Sequence, residues 1–117
     1  MDISPQVYTS DSGITVYYNS SHKIHRTDGP AIIYPDGTQI WYLNGEWHRE
    51  GGPTVEYPDG SMSYYLDGKL HRTDGPAIIK ADGVRQWWLQ DQQYSFDNFI
   101  KHPILTDEDI LIAKLSF

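Results

Sequence analysis

Four landmarks recur along this chain at a single spacing of 23 residues, and that regularity limits the fold more than any other feature. They are His25-Arg26, His48-Arg49 and His71-Arg72; Gly29-Pro30, Gly52-Pro53 and Gly75-Pro76; Asp36-Gly37, Asp59-Gly60 and Asp82-Gly83; and Leu43, Leu66 and Leu89. A fixed period of this length marks an array of short supersecondary units, each too small to bury an apolar face alone. Three copies fill residues 25 to 93, and residues 14 to 21 read as a degenerate partial copy ahead of them. A fifth landmark, Asn44-Gly45 with Asp67-Gly68, decays in the third copy to Gln90-Asp91.

The punctuation inside a copy predicts hairpins. Tyr34-Pro35-Asp36-Gly37 and Tyr57-Pro58-Asp59-Gly60 place Pro where φ near −65° is wanted and Gly where φ must be positive. Strands are expected over 31–34 and 38–43; Asn44-Gly45 then supports a tighter reversal into a short strand carrying the His-Arg pair. No stretch between Gly and Pro landmarks is long enough for a helix. Alignment of the copies gives apolar columns: Ile32, Val55, Ile78; Trp41, Tyr64, Trp87; Leu43, Leu66, Leu89; and Ile24, Trp47, Leu70. Positions 41 and 43 share a strand face, which predicts that this face is the core. The opposite face, with Ile40 and Tyr42, Ser63 and Tyr65, Gln86 and Trp88, is expected to be polar with one aromatic ladder.

The order HR-x-x-GP, then DG, then paired aromatics and an Asn-Gly or Asp-Gly turn resembles a variant class of MORN repeats. It is most similar to the His-Arg-x-Asp-Gly-Pro-Ala repeats of bacteriophage proteins, here residues 25–31 and 71–77. The resemblance covers about 70 of the 117 residues. Ordinary MORN repeats carry His-Gly where this chain has His-Arg, and place a Gly inside the aromatic strand. The resemblance implies a mainly β fold, an elongated single antiparallel sheet of hairpin repeats, and a non-catalytic scaffold for contacts.

The tail differs in kind, which divides the chain into a β array over 1–94 and a helical cap over 95–117. Ser95 suits an N-cap for one turn of helix, and Pro103 stops it. Thr106 offers a second N-cap with Asp107, Glu108 and Asp109 in the first turn, so a helix is predicted over about 107–115. Its apolar stripe is expected to cover the last repeat, as a solenoid end requires; the alternative is an oligomer contact through this helix.

Composition excludes several classes of function. The 16 acidic and 9 basic side chains give a formal charge of −7, the wrong sign for non-specific nucleic-acid binding or an anionic membrane surface. Cysteine is absent, which removes disulfides and thiolate chemistry. No apolar run reaches the roughly 20 residues of a membrane span, and residues 1–5 lack a signal-peptide pattern. A cytoplasmic protein is expected, in the host cytoplasm if a phage encodes it.

The His-Arg pairs invite a catalytic or phosphate-binding reading. Their repetition argues for a structural one, because an active site needs one His beside one unlike partner. Arg26 can pair with Asp28 and Arg72 with Asp74, and each His can bond the adjoining turn. Histidines 23 residues apart with no carboxylate fixed among them do not suggest a metal site, and Walker, Gly-x-Ser-x-Gly and His-Glu-x-x-His motifs are absent. The expectation is therefore no catalysis, no cofactor and no metal. Positions where the copies disagree point to recognition: Ile33, Glu56 and Ile79 share one column. The candidate binding residues are Tyr42, Tyr65 and Trp88, with Arg49, Arg72 and Glu56 at the edge. The first reading is a scaffold that binds and inhibits a host protein, with aromatic hot spots. The alternative is a protein that sequesters a small nucleotide messenger between Arg and aromatic rings.

Overall fold

The computed structural model describes residues 6–117. The reading of residues 1–5 lies outside the described residues. Strands β1 (Gln6–Thr9), β2 (Thr15–Tyr18), β3 (Ile32–Ile33) and β4 (Gln39–Ile40) open the chain. A hairpin of β5 (Tyr42–Leu43) and β6 (Glu46–Trp47) follows. The next copy repeats the pattern as β7 (Val55–Glu56), β8 (Met62–Ser63), β9 (Tyr65–Leu66) and β10 (Lys69–Leu70). The last copy has β11 (Ile78–Ile79), a longer β12 (Arg85–Leu89) and β13 (Gln92–Tyr94), followed by helices α1 (Phe96–Phe99) and α2 (Asp107–Ser116).

Nine strands form one antiparallel sheet in the order β1-β2-β3-β4-β7-β8-β11-β12-β13, while β5-β6 and β9-β10 stand out as separate two-stranded hairpins. The molecule measures 46 × 34 × 21 Å along its principal axes. The expected strand over 38–43 is divided at Trp41, whose N–H continues the β4–β7 register to the Thr54 carbonyl of the next copy (2.8 Å) while its carbonyl accepts the His48 N–H (3.2 Å) in register with the β5–β6 hairpin. The partial copy is larger than the repeat spacing suggests. Ser10 and Gly13 make its turn, Gly13 at φ 94°, and β1 is the strand before it.

Turn chemistry sets the register. Gly37 and Gly60 have φ 98° and 92°, and the Asp36 carboxylate accepts the Thr38 N–H at 2.8 Å, which lowers the Asp36 pKa below its ordinary 3.8. These turns pair Ile32 with Ile40 and Ile40 with Val55. Those three residues form a core with Ile14, Val16, Ile24, Tyr34, Tyr42, Trp47 and Tyr65 packed against it. The expected face assignment is thus reversed in the middle of the array: Ile40, Tyr42 and Tyr65 belong to the buried side, and Trp41 and Tyr64 lie outside this cluster. The reason is the register, which places Ile40 opposite Ile32 and so turns Trp41 the other way.

In the third copy the expected face is the buried one. Trp87 and Leu89 join Phe99 and Ala113 in a second core, flanked by Tyr94, Phe96 and Phe117. The tail caps form as expected. The Ser95 hydroxyl accepts the Asn98 N–H, and Thr106 with Asp109 makes a capping box at the start of α2.

Candidate functional site

Each His-Arg pair performs two architectural tasks. The first ties the turn of each hairpin to the histidine 19 residues earlier in the chain. The backbone N–H groups of Asn44 and Gln90 donate to Nδ1 of His25 and His71 at 3.0 and 3.1 Å, and that of Asp67 reaches His48 Nδ1 at 3.4 Å. The following N–H of each turn donates to the residue before the histidine: Gly45 to Ile24, Gly68 to Trp47 and Asp91 to Leu70, at 2.8, 3.1 and 2.9 Å. Both residues of each turn have positive φ, including Gln90 (50°) and Asp91 (66°). The decayed third turn therefore keeps its shape, helped by the Asp91 carboxylate, which accepts the Leu70 N–H at 2.7 Å.

The second task falls to arginine. Arg26, Arg49 and Arg72 lie over the rings of Tyr17, Trp41 and Tyr64, with the guanidinium carbon 4.0, 3.8 and 4.0 Å from the ring centre. Each also donates from Nη1 to the carbonyl of Pro30, Pro53 or Pro76. The Gly of each Gly-Pro pair makes room: a Cβ at Gly29, Gly52 or Gly75 would sit 2.9, 2.7 or 2.6 Å from that guanidinium carbon. Asp28 and Asp74 bond Nε of Arg26 and Arg72, as expected. In the middle copy Gly51 replaces that Asp, and Glu56 instead accepts from Arg49 Nη1 at 3.0 Å. Trp87, the next ring in the column, is covered by Phe96, Phe99 and Phe117 from the tail.

Three of the six candidate residues converge. Tyr65, Arg49 and Arg72 line one open groove of about 480 Å³ between the second and third His-Arg loops, with Tyr64 and His71. Glu56 reaches this group through Arg49. Tyr65 is held by Thr54, a fully buried residue whose hydroxyl accepts the Tyr65 N–H (2.6 Å) and donates to its carbonyl (2.9 Å). Alanine occupies this position in the other two copies, at Ala31 and Ala77. Burial, then the nearby Tyr57 and Asp91, push the Tyr65 hydroxyl above its ordinary 10.0, so it remains a neutral donor at physiological pH.

Tyr42 and Trp88 are placed differently. Trp47 stands edge-on between Tyr42 and Tyr65, with ring centres 6.2 and 4.7 Å away, and its Nε1 donates to the Tyr42 hydroxyl. Tyr42 is a packing residue at the first copy's hairpin rather than a rung of an open ladder. Trp88 bonds Gln86 through its indole N–H at 3.1 Å. The sequence missed Trp47 and Thr54 as positioning residues; the departure from Ala at position 54 was the available signal. Among the described residues no group of three or more His, Cys, Asp or Glu is placed to hold a metal ion, and no helix is long and apolar enough to cross a membrane. No family model, no curated protein and no solved structure matches this chain.

Proposed function

We propose that this chain is a non-catalytic binding scaffold of MORN-like hairpin repeats that engages a protein partner, in the manner of a small phage protein that inhibits a host factor. The supporting observation is the groove that brings Tyr65, Arg49 and Arg72 together. Its histidine and arginines make the same architectural bonds as their counterparts in the other copies, so their chemistry is engaged in holding the array. In this groove the Tyr64 ring lies under Arg72 and Tyr65 adds a second aromatic residue, and aromatic residues with arginines are the composition that protein hot spots favour.

Tyr42 and Tyr65 supply a matched pair for the test, since both pack against Trp47 but only Tyr65 lines the groove. In affinity capture from the native host, Tyr65→Ala should weaken retention of the bound protein by roughly 2 kcal/mol, and Tyr42→Ala far less at a similar melting temperature. Equal retention by both variants would sink the assignment. The second reading, a sequestering protein for a small nucleotide, draws on the two stacked guanidiniums in one groove. A nucleotide retained in native mass spectrometry of the purified protein, in place of a protein, would favour it. The carboxylates already paired with Arg49 and Arg72 make it second.

A further inference from the structure

The Tyr-Pro-Asp-Gly turns lie side by side along the array, and they pack unequally. A Cβ on Gly13 would lie 3.5 Å from Pro35 and one on Gly37 would lie 3.7 Å from Pro58, whereas one on Gly60 would meet nothing within 4 Å. The proline column ends at Ala81. Two more replacements fall at the same junction: Ser63 stands where the preceding copy has Ile40, and Lys80 where the earlier copies have Tyr34 and Tyr57.

Strand pairing places these changes on one face. Val16 pairs with Ile32, Ile32 with Ile40, Ile40 with Val55, Val55 with Ser63, and Ser63 with Ile78, which makes a cross-strand row. Residues directly opposite in such pairs project to the same side. The row is apolar until Ser63. Smaller residues at 63 and 81 leave a solvent-open groove of about 580 Å³, floored by Ser63 and Ile78 and walled by Tyr57 and Tyr65. At the first junction the corresponding space, bounded by Ser12, Ile14 and Tyr34, is about 240 Å³.

We infer that this groove, distinct from the one between the His-Arg loops, receives a bulky apolar side chain of a protein partner, carried next to a basic residue. The inference rests on the scaffold reading and names the anchor point. The array itself shows what fits: at the preceding copy the same place is filled by Ile40, 7% exposed, against Val55 at 1%. On the neighbouring stretch of this face, Trp47 stacks edge-on against Tyr65. A second ring or branched chain entering beside Tyr65 repeats a contact that the fold already uses. Asp59 and Asp82 outnumber Lys80 at the rim, and the whole chain carries a net −7, so the residue flanking the anchor is basic.

The test needs no knowledge of the partner. The dipeptide N-acetyl-Lys-Trp-amide is titrated into ¹⁵N-labelled full-length protein, and amide shifts are followed. Saturable shifts are expected at residues 57–65 and 78–82, at least tenfold weaker with N-acetyl-Glu-Trp-amide. Ser63→Ile, which copies Ile40, should abolish them while melting at or above the parent temperature. Lys80→Tyr, at an exposed position, narrows the groove without entering the core and should weaken binding tenfold or more. Shifts centred elsewhere, unchanged in both variants, or equal for the two peptides would overturn the proposal. In the affinity capture above, loss of the partner by Tyr65→Ala with full retention by Ser63→Ile would overturn this groove and leave the scaffold reading standing.

Discussion

The Nδ1 atom of His25 accepts the backbone N–H of Asn44, 3.0 Å away and 19 residues later in the chain, and His71 repeats the bond with Gln90 at 3.1 Å. The acceptor lone pair belongs to the ring only while Nδ1 is unprotonated. Protonation of Nδ1 would therefore break a bond that holds each hairpin turn in place.

Acid should weaken the array through this bond. Burial lowers the His71 pKa from its ordinary 6.5, so the folded state favours the neutral ring. A depressed folded pKa contributes stability that is present above pH 6.5 and is lost as pH falls through the folded value. Melting temperature measured from pH 8 to pH 5 should fall below pH 6.5, and His71→Asn, which keeps an acceptor but does not titrate there, should flatten that slope. An unchanged slope in the variant would exclude His71 as the cause.

Gly75→Ala should dislodge the arginine stack. The new Cβ would stand 2.6 Å from the Arg72 guanidinium carbon and 2.7 Å from the Phe117 ring, and Arg72 is pinned between Tyr64 and the Pro76 carbonyl. A cost of about 1–3 kcal/mol is expected in urea unfolding, as for an overpacked core. The same change at Gly60, where the position is spatially open but φ is 92°, probes backbone strain alone.

Phe99→Ala should open the C-terminal core. Phe99 is fully buried, and its ring centre lies 4.9 Å from that of Trp87. Large-to-small changes at such sites cost about 3–5 kcal/mol. Tryptophan emission should shift to the red, and deletion of residues 104–117 should go further and cause aggregation. A truncated protein as soluble and heat-stable as the parent would show that the tail contributes little to the array.

Arg49→Lys should cost more than its conserved charge suggests. The planar guanidinium stacks on Trp41, bonds the Pro53 carbonyl and meets Glu56, and an ammonium cannot keep all three contacts. A loss of roughly 1–2 kcal/mol in stability is expected. The Glu56→Gln variant, with one charge partner removed and the stack intact, should lose less.

Much of this architecture was legible in the residues. The 23-residue register, the Asp-Gly and Asn-Gly reversals, the Ser95 and Thr106 caps and the Arg26–Asp28 and Arg72–Asp74 pairs all arise from neighbours a few positions apart, where the chemistry of one side chain meets one backbone group. A structural task for the histidines was legible as well, since repetition implied one common to every copy, but not that each ring bonds the turn 19 residues later in the chain. Tertiary structure alone decided which strand face is buried, because aromatic or apolar residues occupy both faces and periodicity cannot rank two such faces. Pairing of Ile32 with Ile40 settled it for the middle of the array, and packing of the tail on Trp87 and Leu89 settled it the other way at the end. It also decided that β1 pairs with β2, that the arginines lie on the rings, and that Tyr65 lines one groove with Arg49 and Arg72 while Tyr42 packs against Trp47. These depend on the register between strands and on the packing of one copy against the next, and such distances are not written in the spacing of residues along a chain.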